Sequence, residues 1–460
     1  MRGPTRFTLL LSLLVFLSAA CSDGGRDSEV TGKGSIRALH AIPNLGTINF
    51  LIEETVLGSM SFQDATAVSE YDDLEYTFSF EITLPDDDAD EPTELVNRTL
   101  SVTSEQEYTF VLSGSLDNPQ LFLWEQFGRD WAEEIEAAED NDTEVTVMEV
   151  AFGHISNVLG AVDVYLEDPG TSPVAATPKA SLSYSEFDPA IELSAGDYQL
   201  VVTPAGDPNT LLFASDPFSI SAATSTLVTL VDDGGFTTAD FRVRLIGSGT
   251  ELTDINTSAV VSATHLALGT GPLDVYDSDD FSLPLFDDLA FGDLAAEIEV
   301  DEGTLNLAVT PFDNLGVFLA QLSLSAFTGT YNRLYFIGLP GDLQVVTQRY
   351  DRSTIATHAR LQLLQAAARF QTVDVYIVDT DTDIQLIGPS YSSILYGNGF
   401  SYTIVEADTY NIYVTEPGTK NVIAGPLRAD LEESSNYSLL IVDSQNLSTA
   451  ELLFFEEQTP

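Results

Sequence analysis

The sequence predicts an all-β chain: four tandem antiparallel β-sandwiches, immunoglobulin-like or transthyretin-like in type. Three observations predict it. One segment recurs four times at intervals of 114, 111 and 100 residues, the length of a domain rather than of a solenoid unit. Each copy is followed by short segments with apolar residues at every second position, the period of a strand with one buried face. Helical periodicity is confined to Asp130–Glu139, which reads equally as a helix or as a strand extension.

The recurrent segment opens on histidine and closes nine residues later on Asp or Asn. The copies run from His40 to Asn49, His154 to Asp163 and His265 to Asp274; the fourth, Gln365 to Asp374, has glutamine in the first place. Alternation follows in Tyr76/Phe78/Phe80, Tyr198/Leu200/Val202, Leu305/Leu307/Val309 and Tyr410/Ile412/Val414. Thr203-Pro204 and Thr310-Pro311 close the middle two, because proline has no N–H to give a ladder. A third segment recurs as Tyr108–Gly114, Thr226–Asp232, Tyr331–Gly338 and Tyr437–Asp443, and a closing strand as Leu121–Trp124, Phe241–Ile246, Leu343–Thr347 and Leu452–Phe455. The sum is six or seven strands per repeat, with domains over 35–143, 144–254, 255–354 and 355–460.

The N-terminus reads as an export signal over residues 1–20. Arg2 and Arg6 precede the apolar run Phe7–Leu17, and Ser18-Ala19-Ala20 leads to Cys21, the single cysteine of the chain. The run falls short of the ~20 residues that a spanning helix needs. Leu17-Ser18-Ala19-Ala20-Cys21 resembles the lipobox of bacterial lipoproteins, with leucine one place further from the cysteine than that pattern prefers. The resemblance implies cleavage before Cys21 and lipidation of its thiol, an anchor without a spanning helix. Ser22, where an inner-membrane retention signal has Asp, implies the outer membrane. Residues 21–34 then form a lipidated, flexible tether, small and polar in composition. The domains are left without a disulfide, so burial alone holds them.

Lys and Arg number 17 against 72 Asp and Glu, a net charge of −55. Such a field repels nucleic acid and leaves cationic, protein or glycan partners. Hydrophobic residues make up 44% of the chain, enough for real cores, so this is not an acidic disordered tail. The densest acidic run, Asp86-Asp87-Asp88-Ala89-Asp90-Glu91, reads as a solvated loop.

The repeat resembles an uncharacterised bacterial family, domain of unknown function 4397. The second copy carries most of the likeness, with Val162-Asp163-Val164-Tyr165 and with Ala195-Gly196-Asp197-Tyr198 running to Pro204-Ala205-Gly206; the first supplies His40-Ala41-Ile42-Pro43. The resemblance spans nearly all of the chain after the signal. It implies a fold and no activity, because the family has no established one.

Catalytic chemistry finds little footing. His40, His154 and His265 share one repeat position and are candidate ligands or bases. Gln365 in the fourth copy keeps a donor and an acceptor but is no base, which favours a structural role at all four positions. Neither G-x-S-x-G nor H-E-x-x-H occurs, and Thr31-Gly32-Lys33-Gly34-Ser35 lacks the spacing of a phosphate loop. Asp379, Asp381 and Asp383 alternate as in a calcium loop, but Ile384 and Ser390 stand where an EF-hand needs Gly and Glu. They remain weak calcium candidates on a hairpin turn, and no other cofactor is implied. The expectation is a membrane-anchored, exported, non-catalytic surface module: a spacer, an adhesin-like scaffold or a binding protein. The alternatives are a carbohydrate- or peptide-binding lipoprotein of an uptake system and, third, an enzyme with a carboxylate site.

Overall fold

The computed structural model describes residues 32–84 and 92–460. Cys21, the signal and the acidic run Asp86–Glu91 lie outside the described residues.

The strands form eight sheets, two to each sandwich. In the first sandwich they are β1 (Lys33–His40), β2 (Ile48–Ile52), β3 (Thr55–Met60), β4 (Ser69–Asp72), β5 (Glu75–Ile82), β6 (Thr93–Ser101), β7 (Gln106–Ser115) and β8 (Asn118–Phe127). One sheet has the order β4-β1-β7-β8 and the other β3-β2-β5-β6. The same order recurs in the other three. Val147–His154, Ala259–His265 and Ala359–Gln365 stand where β1 does, and Val162–Glu167, Leu273–Asp277 and Thr372–Asp379 where β2 does. Asp163, Asp274 and Asp374 thus occupy one place in one strand. Each sandwich holds at least eight strands rather than six or seven, because short edge strands such as β3 and β4 carry too little apolar alternation to be seen in sequence.

Two features differ from expectation. β1 pairs parallel with β7, Ser35 opposite Glu107 through His40 opposite Leu112, and its counterparts do likewise. Strands so far apart in sequence are free of the hairpin constraint that forces antiparallel pairing. β1 also begins at Lys33, inside the expected tether, because Lys33 and Gly34 pair with Asp72 and Tyr71. The helix candidate is a helix, α1 (Trp131–Asp140), capped by Asp130, whose carboxylate accepts from Ala132 N and Glu133 N.

Each sandwich has its own core between its two sheets; Phe50, Phe78, Phe80 and Phe110 fill the first. The β1–β7 sheets are buried on their outer faces as well. Leu39, Val111 and Trp124 of the first sandwich meet Ala151, Leu227 and Val231 of the second. Tyr335 and Ile337 of the third meet Leu364, Leu440 and Val442 of the fourth. The two contacts are built alike: Tyr184 lies against Phe122 with ring centroids 5.7 Å apart, and Tyr396 packs against the cluster formed by the third and fourth sandwiches. This is why β7 and its counterparts read as continuous apolar runs rather than alternating ones. The folding pattern is therefore two back-to-back pairs, sandwiches 1 with 2 and 3 with 4.

Candidate functional site

The repeat histidines close a loop in each sandwich. His40 Nδ1 accepts from Ile42 N at 3.3 Å, and its Nε2 faces Gly46 O at 3.2 Å. His154 makes the same bonds to Ser156 N and Gly160 O, and His265 to Ala267 N and Gly271 O. Gln365 reproduces the pair with its amide, accepting from Ala367 N at 2.8 Å and donating to Phe370 O at 2.6 Å. All four side chains are fully buried. A neutral ring with Nε2 protonated satisfies both bonds. Burial lowers the pKa of all three histidines, that of His40 to about 4. Both nitrogens are spent on backbone, leaving none for a metal or a substrate proton.

The aspartate at the far end of the segment latches two loops. Asp374 accepts from Ser393 N and Gly418 N, each at 2.7 Å. Asp274 accepts from Asp288 N and Asp313 N, each at 2.9 Å. Asp163 accepts from Ser181 Oγ at 2.6 Å and Gly206 N at 2.8 Å. Gly206, Asp313 and Gly418 all have positive φ, so the carboxylate holds the backbone in its left-handed turn. Asn49 keeps one bond, accepting from Ser59 Oγ at 2.5 Å.

The calcium candidates do not converge. Asp383 caps a short 3₁₀ turn through Gln385 N, and Asp379 sits at a strand end opposite Tyr410. The carbonyls of this loop face an ammonium group instead. Lys420 Nζ donates to Ile384 O, Ile387 O and, at 2.9 Å, Tyr376 Oη. Among the described residues, no three His, Cys, Asp or Glu side chains come together to hold a metal.

The site-like feature of the molecule is a cleft of about 400 Å³ between sandwiches 2 and 3. It is organised by the hairpin loop 233–240 of sandwich 2. Asp233, buried and with its pKa raised by burial, accepts from Thr237 N at 2.7 Å and Thr237 Oγ1 at 2.8 Å. Thr238 N donates to Gly329 O of sandwich 3, and Gly235 O accepts from Arg352 N. Phe236 stacks on Phe62 of sandwich 1 at 5.5 Å, and Gln63 accepts from Arg242 Nη1 at 3.0 Å. The loop thus touches both pairs and fixes the cleft between them.

Phe213, Phe241, Tyr331 and Tyr350 form buried apolar walls, and Phe236 stands at the opening, 39% exposed. The carboxylates of the lining are all engaged. Glu251 pairs with Arg242 and, at 3.6 Å, Arg244. Asp254 accepts from Ala214 N, Asn256 N and Thr257 Oγ1. Asp351 pairs with Arg360 at 2.7 Å. The lining offers aromatic surface, threonine hydroxyls and guanidinium groups.

Residues 34–134 match DUF4397, a domain of unknown function. No curated protein matches the chain. Among solved structures, the family CBM26 module of Eubacterium rectale Amy13K in complex with maltoheptaose is 15% identical, covering 46% of this chain and 95% of that one with a TM-score of 0.15. The Bacillus anthracis TIE protein is 8% identical, covering 90% of this chain and 68% of that one, also at 0.15.

Within the DUF4397 match, His40 and Asn49 are frame residues, and the cleft lies outside it. Sequence reasoning missed the cleft residues because they come from a hairpin loop, an edge strand and a linker that differ between repeats. One signal was present: sandwich 2 has Asp233–Asp240 between its last long strands, where the first and third have tight turns.

Proposed function

We propose that this chain is a non-catalytic, lipid-anchored binding module of the bacterial envelope that holds a glycan in the cleft between sandwiches 2 and 3. The observation that carries the reading is the chemistry of that cleft. A partly exposed phenylalanine ring, already stacked on Phe62 and with the Arg242 guanidinium 5.9 Å from its centroid, together with several hydroxyls, suits a sugar ring with an apolar C–H face and a hydrogen-bonding rim. Every carboxylate of the lining is tied to a cation or to backbone, which leaves no general acid–base pair. The anchor is read from Cys21 and the residues before it, and Ser22 after it supports an outer-membrane location.

Glycan-array screening followed by calorimetry tests the reading. The wild type should bind at least one oligosaccharide, and Phe236→Ala should weaken that binding while leaving the melting temperature close to that of wild type. Binding untouched by Phe236→Ala would place the ligand elsewhere. For the anchor, Cys21→Ser should move the protein from the membrane fraction to the soluble one.

A further inference from the structure

We infer that the cleft selects an acidic sugar, with the guanidinium of Arg349 receiving the sugar carboxylate. This rests on the glycan reading above and adds the ligand class to it.

The inference starts from charge accounting at the cleft. In a chain with 72 acidic and 17 basic side chains, an arginine normally finds a carboxylate. Arg242 does so, with Glu251 and Asp233; so do Arg352 with Glu297 and Arg360 with Asp351. Arg349 lines the same cleft, and among the described residues it forms no ion pair. Its one charged-group contact is the ring of Phe327, over which the guanidinium carbon lies at 4.8 Å.

That contact leaves the group usable. A guanidinium stacked on an aromatic face keeps its N–H donors along its edge, in the fork geometry that matches a carboxylate through two parallel hydrogen bonds. The stacking also holds the side chain at the rim before any ligand arrives, so less rotamer freedom is lost on binding. The acids of the lining, Glu251, Asp254 and Asp351, already have partners and do not compete for it. Elsewhere the surface is strongly acidic and repels an anion. An acidic sugar is therefore disfavoured over most of the molecule and accepted at this rim, a discrimination that uses repulsion as well as attraction.

The test compares two probes on the full chain by calorimetry: the α-1,4-linked galacturonic acid trimer and the same trimer with its carboxyls reduced to alcohols. The wild type should bind the acidic trimer about tenfold tighter or more, the worth of a charge-assisted hydrogen bond. Raising the salt concentration should shrink that preference. In Arg349→Gln the ratio should fall to about one. Phe236→Ala should weaken both trimers together, and melting curves of both variants confirm folding. Equal wild-type affinity for the two trimers would overturn the inference and leave the glycan reading standing. A preference that survives Arg349→Gln would likewise overturn it. Failure of the wild type to bind either trimer would overturn it too, and a blank glycan array beside that result would remove the glycan reading as well.

Discussion

Trp124 of the first sandwich lies directly on the backbone of Gly153 in the second: a Cβ at residue 153 would come within 2.5 Å of the indole. The indole is held there from two sides. It stacks on Phe187 at 5.4 Å, and its Nε1 donates to Ser185 O at 3.1 Å. The other repeats have Leu39, Thr264 and Leu364 at the position of Gly153, so glycine here answers to Trp124 and not to the strand. Gly153→Ala should push the two sandwiches apart and cost ~1–3 kcal/mol, the usual cost of overpacking. Thermal denaturation followed by tryptophan fluorescence measures it. Both tryptophans, Trp124 and Trp131, adjoin sandwich 2.

The loop-closing histidines define a second expectation. His154→Gln should be tolerated better than His154→Ala, because glutamine already makes both bonds at position 365. Alanine leaves Ser156 N and Gly160 O without their partners, which costs ~1–3 kcal/mol for each buried group left unpaired. Melting temperatures of the two variants decide it. Equal values would deny the side chain this role.

These positions also show how far the sequence carried. The repeat was legible because His40, His154, His265 and Gln365 answer to local constraints: each bonds within six residues of itself, so spacing records the geometry. The aspartates were visible as repeats, but their role was not. Asp374 reaches Gly418, 44 residues away, and no periodicity encodes such a latch. Pairing of sandwiches left a trace in the apolar runs of β7 and its counterparts, where neighbouring residues on both faces are buried. The cleft left almost none. Phe236, Arg349 and Asp254 become neighbours only through the packing of sandwich 2 on sandwich 3.

The aspartate latch gives a third expectation. In Asp374→Asn one of the two oxygens becomes an N–H₂ donor facing a backbone N–H, at Ser393 or at Gly418. Loss of a charge-assisted bond and exposure of two donors to each other should cost ~2–3 kcal/mol. Hydrogen exchange should rise at Ser393 and Gly418 while the amides of the core strands stay protected, if the latch acts locally. Unchanged exchange at both would refute it.

Acid sensitivity follows from the same histidines, with a definite sign. The folded chain holds them neutral, and burial puts the pKa of His40 at about 4 against an ordinary 6.5. The unfolded chain takes up the proton first as pH falls. The contribution of His40 is therefore complete above pH 6.5 and is lost as pH drops from 6.5 toward 4, and those of His154 and His265, lowered by burial as well, change with the same sign. Replacing all three by glutamine should flatten the fall in melting temperature across that window. Relief of acidic self-repulsion acts on both proteins alike, so the difference between their curves isolates the histidines. Parallel curves would mean that the rings are protonated without cost.

The pairing of sandwiches predicts which fragments fold. Sandwich 2 alone would expose Ala151, Leu227, Val231 and Ile246, now covered by sandwich 1. Sandwich 4 alone would expose Leu364, Leu440 and Val442 and would leave Glu457 without Arg333, its buried bidentate partner. Each apolar side chain bared in this way forfeits ~1.5–3 kcal/mol of burial, and together they are a large part of a single domain's stability. Residues 32–254 and 255–460 keep each pair intact and should fold as soluble monomers with cooperative melting. Residues 144–254 or 355–460 alone should aggregate or pair with a second copy through the bared β1–β7 face. Size-exclusion chromatography and calorimetry of the four fragments separate the outcomes. Soluble, monomeric single sandwiches would mean that the back-to-back contact is incidental to folding.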